Sequence, residues 1–158
     1  VKRLREVLTE AGFRNVATYI NSGNAVLSSS ASEEEIVARV AAVVSEKMGF
    51  GKSVFARSAA EWAWAVDANP YPQAVETPTK LHLYCLEREP DPDRVAALQE
   101  KATGTERFVV KGRVLYLHTP DGMGRSLFAP KIEPTLKVPM TARNWRTALA
   151  LRRMVEAL

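Results

Sequence analysis

The side chains best suited to chemistry lie near the C-terminal end of the chain. Thr141, Arg143, Asn144 and Arg146 are crowded into one short run. If that run opens a helix, Thr141 caps it and the first turn presents bare N–H groups and the positive end of the helix dipole. Arg143 can add a bidentate guanidinium, and the result suits an anion or phosphate. The plainer reading is that Arg143 and Asn144 make structural bonds that pin the helix. A second candidate is Gly122-Met123-Gly124-Arg125-Ser126, with Lys131 shortly after it. Two glycines before a helix start expose backbone amides to an anion, and Arg125 adds charge. The run lacks the G-x-x-x-x-G-K-[ST] spacing of a P-loop. It reads equally as an ordinary glycine loop. A third is Asn21-Ser22-Gly23-Asn24, where Ser22 and Asn24 offer polar groups at a sheet edge. Hairpin chemistry explains the same residues, because Gly and Asn tolerate positive φ and Asn bonds its own backbone.

Catalytic signatures are missing. The two histidines, His82 and His118, lie within strand-like runs, and no Cys/His spacing suits a metal. There is no G-x-S-x-G elbow. Asp91 and Asp93 are helix-start chemistry. One dimension leaves a pairing of Cys85 with a histidine open. These observations favour a non-catalytic protein with no cofactor and no metal. Phe108, Tyr84 and Tyr116 alternate with apolar residues as core aromatics do, and the RNA-recognition pattern K/R-G-F/Y-G/A-F-V is missing.

Composition sets the wider bounds. The chain has 158 residues, 46% hydrophobic and 25% charged, enough for a buried core without staples. Its single cysteine, Cys85, sits in the apolar run 81–86 and fits a reducing compartment, so a cytoplasmic location is expected. No apolar run is long enough to span a membrane, and no membrane partner is expected. The net charge is +4. Residues 1–124 carry 15 basic and 16 acidic side chains, whereas residues 125–158 carry 7 and 2. The surplus is therefore confined to the last stretch, where it can attract phosphates or acidic partners.

The elements that must position these residues follow from periodicity. Leu4, Val7, Leu8 and Ala11 form a helical stripe that Gly12 stops. The runs 16–20 and 25–28 flank a dense turn and predict a hairpin. Ser32 with Glu35, and Ser58 with Glu61, are capping boxes that open helices. Residues 52–56 predict a short strand. Residues 81–86 predict a central strand. Asp91-Pro92 starts a helix, and 108–110 with 114–117 predict a tight hairpin. Ser126 is expected to cap a short helix reaching about Leu136. Thr141 is expected to cap a final helix with a buried stripe of Trp145, Ala148, Leu149, Val155 and Leu158.

Several stretches resemble one known family. Gly12-Phe13, Val16 and Thr18-Tyr19-Ile20 with Ser22-Gly23-Asn24 match its "GF..V.TYI.SGN" segment. Leu115-Tyr116, Pro120, Gly122, Ser126 and Lys131-Ile132-Glu133 are similar to its "LY...P.G...S...K.E" region. Thr141, Arg143-Asn144-Trp145 and Thr147 resemble its terminal "T.RNW.T" signature. The family is the bacterial domain-of-unknown-function family sixteen ninety-seven. The resemblance implies paired ferredoxin-like halves and no secure activity. Members usually begin with a further strand and a loop resembling "LLRGINVGG", which this chain lacks.

The expectation is therefore an α+β protein of two ferredoxin-like, βαββα-type halves with antiparallel sheet, the first strand missing, plus a C-terminal helix. The first half is expected over 1–69, a Pro-rich linker over 70–79 and the second half over 80–158. The leading functional reading is a non-catalytic binding module for an anionic small molecule, a phosphate-bearing ligand or nucleic acid. One alternative is a small enzyme whose site includes the absent N-terminal loop. Another is an interaction subunit that forms a homodimer.

Overall fold

The computed structural model describes residues 2–19, 23–49 and 51–158. The elements run α1 (Lys2–Glu10), β1 (Arg14–Tyr19), β2 (Asn24–Ser28), α2 (Glu33–Met48), α3 (Ala59–Asp67), β3 (Leu81–Leu86), α4 (Pro92–Lys101), β4 (Arg107–Lys111), β5 (Val114–His118), α5 (Ile132–Leu136), β6 (Met140–Asn144) and α6 (Trp145–Glu156). The class is α+β, with two antiparallel sheets. Two compact units share the chain: 1–64 with 149–158, and 65–148.

In the first unit, Val7 and Leu8 of α1 are buried, and Gly12 ends the helix at φ +98°, a conformation glycine adopts without strain. Arg39 of α2 donates to the Ala11 carbonyl at 2.7 Å and lies 4.4 Å from the Phe13 ring centroid. One guanidinium thus meets a carbonyl just past the end of α1 and adds a cation–π contact. The β1–β2 hairpin pairs Tyr19 with Asn24, and Asn24 Nδ2 donates to the Tyr19 carbonyl at 3.1 Å. Ser32 Oγ accepts from Glu35 N at 3.2 Å, as its capping box predicts. The second box closes in both directions, with Glu61 N donating to Ser58 Oγ and Ser58 N to Glu61 Oε1.

The second unit is organised by β3. The sheet order is β4-β5-β3-β6, and every pairing is antiparallel. With α4 and α5 this is a β-α-β-β-α-β succession. On one face Tyr84 and Leu86 join Phe108, Leu115 and Leu117 against Leu98 of α4 and Ile132 and Leu136 of α5. Phe128 stacks on Phe108 with centroids 5.6 Å apart. On the opposite face Leu81, Leu83, Cys85 and Tyr116 are also buried. The Tyr116 hydroxyl donates to the Ala65 carbonyl, so the long Tyr side chain ends on a satisfied polar group.

Four local expectations need correction. Residues 52–56 form no strand, because the described strands of the first unit are only β1 and β2 and leave this run without a ladder. Residues 126–136 are not one helix: Pro130 falls in a 3₁₀ turn over Ala129–Lys131, and α5 follows with Pro134 in its first turn, where the missing N–H costs no helix bond. Ser126 does cap that turn, accepting from Ala129 N at 2.8 Å. Thr141 does not cap the last helix. Met140–Asn144 instead form β6, because the second edge of β3 needs a ladder partner and this run supplies it. The cap falls to Asn144, whose Oδ1 accepts from Thr147 N at 3.0 Å. Leu158, expected in the buried stripe of α6, is 46% exposed beyond the helix end.

The shifted cap can be measured. Asn144→Ala is expected to lower unfolding free energy by about 0.5–2 kcal/mol in a urea titration. A loss of that size from Thr141→Ala, with Asn144→Ala silent, would restore the helix boundary read from sequence.

Candidate functional site

In the second unit α4 and α5 border an open cleft of about 580 Å³. Its walls are Asp91, Asp93, Arg94, Ala97 and Lys101 from the α4 side and Pro134, Thr135 and Lys137 from the α5 side. The local sequence explains the placement. Asp91 caps α4, its carboxylate accepting from Asp93 N at 2.9 Å, and Pro92 starts the helix. Arg94, Ala97 and Lys101 then recur at helical spacing along one stripe, with Leu98 buried beside them. Arg94 and Lys101 stand about 10 Å apart along the axis, at 1.5 Å per residue. The small Ala97 between them leaves room. Lys137 ends α5 in the left-handed region at φ +55°. Its carbonyl accepts from Arg88 Nη2 at 3.2 Å, which ties the turn to the end of β3.

The charges of this cleft are unspent. Among the described residues the side chains of Asp93, Arg94, Lys101 and Lys137 make no hydrogen bond or ion pair, and the Asp91 carboxylate serves the helix cap. Three cations thus face two carboxylates, one of them engaged. Such a cleft can take an anionic group across more than one cation.

The residues expected to bind ligand divide into two sets. Arg143 Nη1 donates to Thr141 Oγ1 at 2.6 Å and to the Ala142 carbonyl at 2.9 Å, so the two side chains meet on β6. Burial pushes the Arg143 guanidinium below its ordinary value, while the nearby Cys85 group acts in the opposite sense. Asn144 is used as a helix cap, Asn24 as a hairpin brace and Ser126 as a turn cap. Ser22 lies outside the described residues. Arg125, Lys131 and Arg146 are exposed and make no side-chain hydrogen bond or ion pair among the described residues. Lys131 precedes the cleft residue Thr135 by about one helical turn. Arg94, Lys101 and Lys137 are the residues sequence reasoning missed. The i, i+7 spacing of two cations around an alanine was visible, but nothing local says that α5 packs beside it.

Over residues 1–116 the chain matches the family described as "Protein of unknown function (DUF1697)". The chain belongs to that family. No curated protein matches it. Among solved structures, the conserved bacterial protein SP0830 from Streptococcus pneumoniae is similar at a TM-score of 0.72 and 22% identity, over 98% of this chain and 88% of that one. That likeness is one of fold. In this DUF1697 chain no group of three or more His, Cys, Asp or Glu side chains gathers as a metal site among the described residues. Among the described residues no helix is long and apolar enough to cross a membrane.

Buried ionisable groups set the pH response of the second unit. Burial pushes the Tyr84 and Tyr116 phenols up to about 12. His82 lies on β3 between Leu117 and Asn144, and its buried Nδ1 has no hydrogen-bond partner among the described residues. Burial holds this imidazole below its ordinary value. In the unfolded chain a histidine titrates near about 6.5. The folded protein therefore binds fewer protons just below that value, and stability falls as pH drops from there through the folded value. Thermal melting should weaken over that window, and His82→Leu should flatten the loss. An identical pH profile in the variant would remove His82 from this role.

Proposed function

We propose that this DUF1697 protein is a non-catalytic binding module for an anionic or phosphate-bearing ligand, nucleic acid included, held at the α4–α5 cleft. One observation carries the reading: Arg94, Lys101 and Lys137 line one ligand-sized cleft with no ion partner among the described residues. Surface cations with no fixed partner lose little on binding an anion, since no existing pair has to break. Lys131, one helical turn before Thr135, and the exposed Arg125 and Arg146 add further positive charge to the second unit. Cys85 is buried and is the single cysteine of the sequence, which suits a reducing compartment such as the cytoplasm.

A labelled single-stranded oligonucleotide is the test ligand, followed by fluorescence anisotropy. If three cations each neutralise one phosphate, the slope of log K against log salt is about −2, at about 0.7 per contact. Arg94→Gln, Lys101→Gln and Lys137→Gln together should abolish that slope and weaken binding at least tenfold. Unchanged binding by the folded triple variant defeats the reading. If Arg125→Ala with Arg146→Ala weakens binding instead, the ligand lies on the C-terminal basic surface.

A homodimer is the second reading, favoured by the strand order: among the described residues β4 and β6 form the edges of their sheet, and an edge strand can add a strand from another copy. Light scattering that gives the monomer mass across a concentration series would dismiss it.

A further inference from the structure

A second cluster of chemistry-bearing side chains lies at one end of the same sheet, apart from the residues of the cleft. His118 ends β5, facing Arg107 across β4 and Leu81 across β3. Lys80 immediately precedes Leu81, and its carbonyl accepts from Thr119 N at 2.9 Å, which locks the two segments in register. The Tyr71 ring lies against the His118 imidazole, with centroids 5.7 Å apart and planes tilted by 35°. Tyr71 is itself fixed. Its backbone N donates to Asn69 Oδ1 at 3.0 Å, Asn69 Nδ2 donates to its carbonyl at 3.3 Å, and prolines flank it at 70 and 72. Four side chains from four segments are thus held at one place by backbone pairing and an Asx turn.

We propose that Lys80, Arg107, His118 and Tyr71 form a site for a phosphate group, whose binding is coupled to proton uptake by His118. The complement of groups fits that ligand. Arg107 spends Nη1 on the Gly104 and Glu106 carbonyls, at 2.7 and 2.8 Å, and keeps its remaining N–H groups for a partner. The Lys80 ammonium, the Tyr71 hydroxyl and the His118 ring make no hydrogen bond among the described residues. The charges acting on the two rings are both cations: Lys80 on His118 and Arg107 on Tyr71. Leu81 opposite His118 is apolar, and the Asp121 carboxylate accepts from Thr105 Oγ1 at 2.9 Å. Burial and the Lys80 charge push the His118 imidazole below its ordinary value. A phosphate dianion reverses the sign of its surroundings, so the imidazole takes up a proton and becomes a further donor. Coupling is reciprocal, and the phosphate dianion therefore binds more tightly to the protein whose His118 is protonated.

The protein carries two histidines, and His82 is an internal control. Ring resonances of both are followed by NMR against pH, in inorganic phosphate and in chloride at matched ionic strength. Phosphate should raise the His118 midpoint by about one pH unit, the scale of an opposite charge within about 4–6 Å, and leave His82 in place. Lys80→Gln and Arg107→Gln should each shrink that rise. The Arg94→Gln, Lys101→Gln, Lys137→Gln variant should keep it, which separates this site from the α4–α5 cleft. Equal His118 midpoints in phosphate and chloride, or a rise that survives both substitutions together, would overturn the proposal.

Discussion

Strand β3 is hydrogen-bonded on both sides, to β5 and to β6, and its residues are almost wholly buried on both faces. A strand in that position must be apolar throughout, because any polar side chain it carries loses water. Leu81-His82-Leu83-Tyr84-Cys85-Leu86 meets the condition except at His82 and at the hydroxyl of Tyr84. The rest of the second unit depends on this strand. One face draws α4 and α5 onto the sheet. The other buries Tyr116 and sets its hydroxyl against the carbonyl of Ala65.

Packing α4 and α5 over the same face has a second consequence. Their buried stripes meet through Leu98, Ile132 and Leu136, so the rows just outside those stripes face each other at the surface. On α4 that row holds Arg94, Ala97 and Lys101, and past α5 it holds Lys137. The hydrophobic contact thus creates the charged cleft as its rim. Antiparallel register does the same at the sheet end, where His118 is opposite both Arg107 and Leu81, and Lys80 comes with Leu81. Both groupings follow from backbone pairing and core contact, with no attraction between like charges required.

The run 140–147 shows how two candidate caps can be divided between two elements. Thr141 and Asn144 are both good helix caps. Only one can be used, and the choice turns on whether residues 140–144 are helix or strand. The open edge of β3 decides for strand, so Asn144 caps α6 and Thr141 receives the Arg143 guanidinium. Arg143, the strongest candidate for anion binding in the sequence, is thereby partly occupied within its own strand.

The elements bounded by caps, glycines and prolines were legible in the sequence: the capping boxes at Ser32 and Ser58, the Gly12 stop, the Asp91-Pro92 start and the hairpin closed at Lys111-Gly112. Each is set by chemistry within a few residues, where sequence spacing and spatial distance coincide. The two proposed sites were not legible. Arg94 and Lys137, or Tyr71 and His118, are brought together by sheet order and helix packing, through contacts between residues more than forty positions apart. Local chemistry determined where elements begin and end. Tertiary structure alone decided which charged side chains share a site, because partner choice is made by the burial of β3 and not by the residues that line the surface.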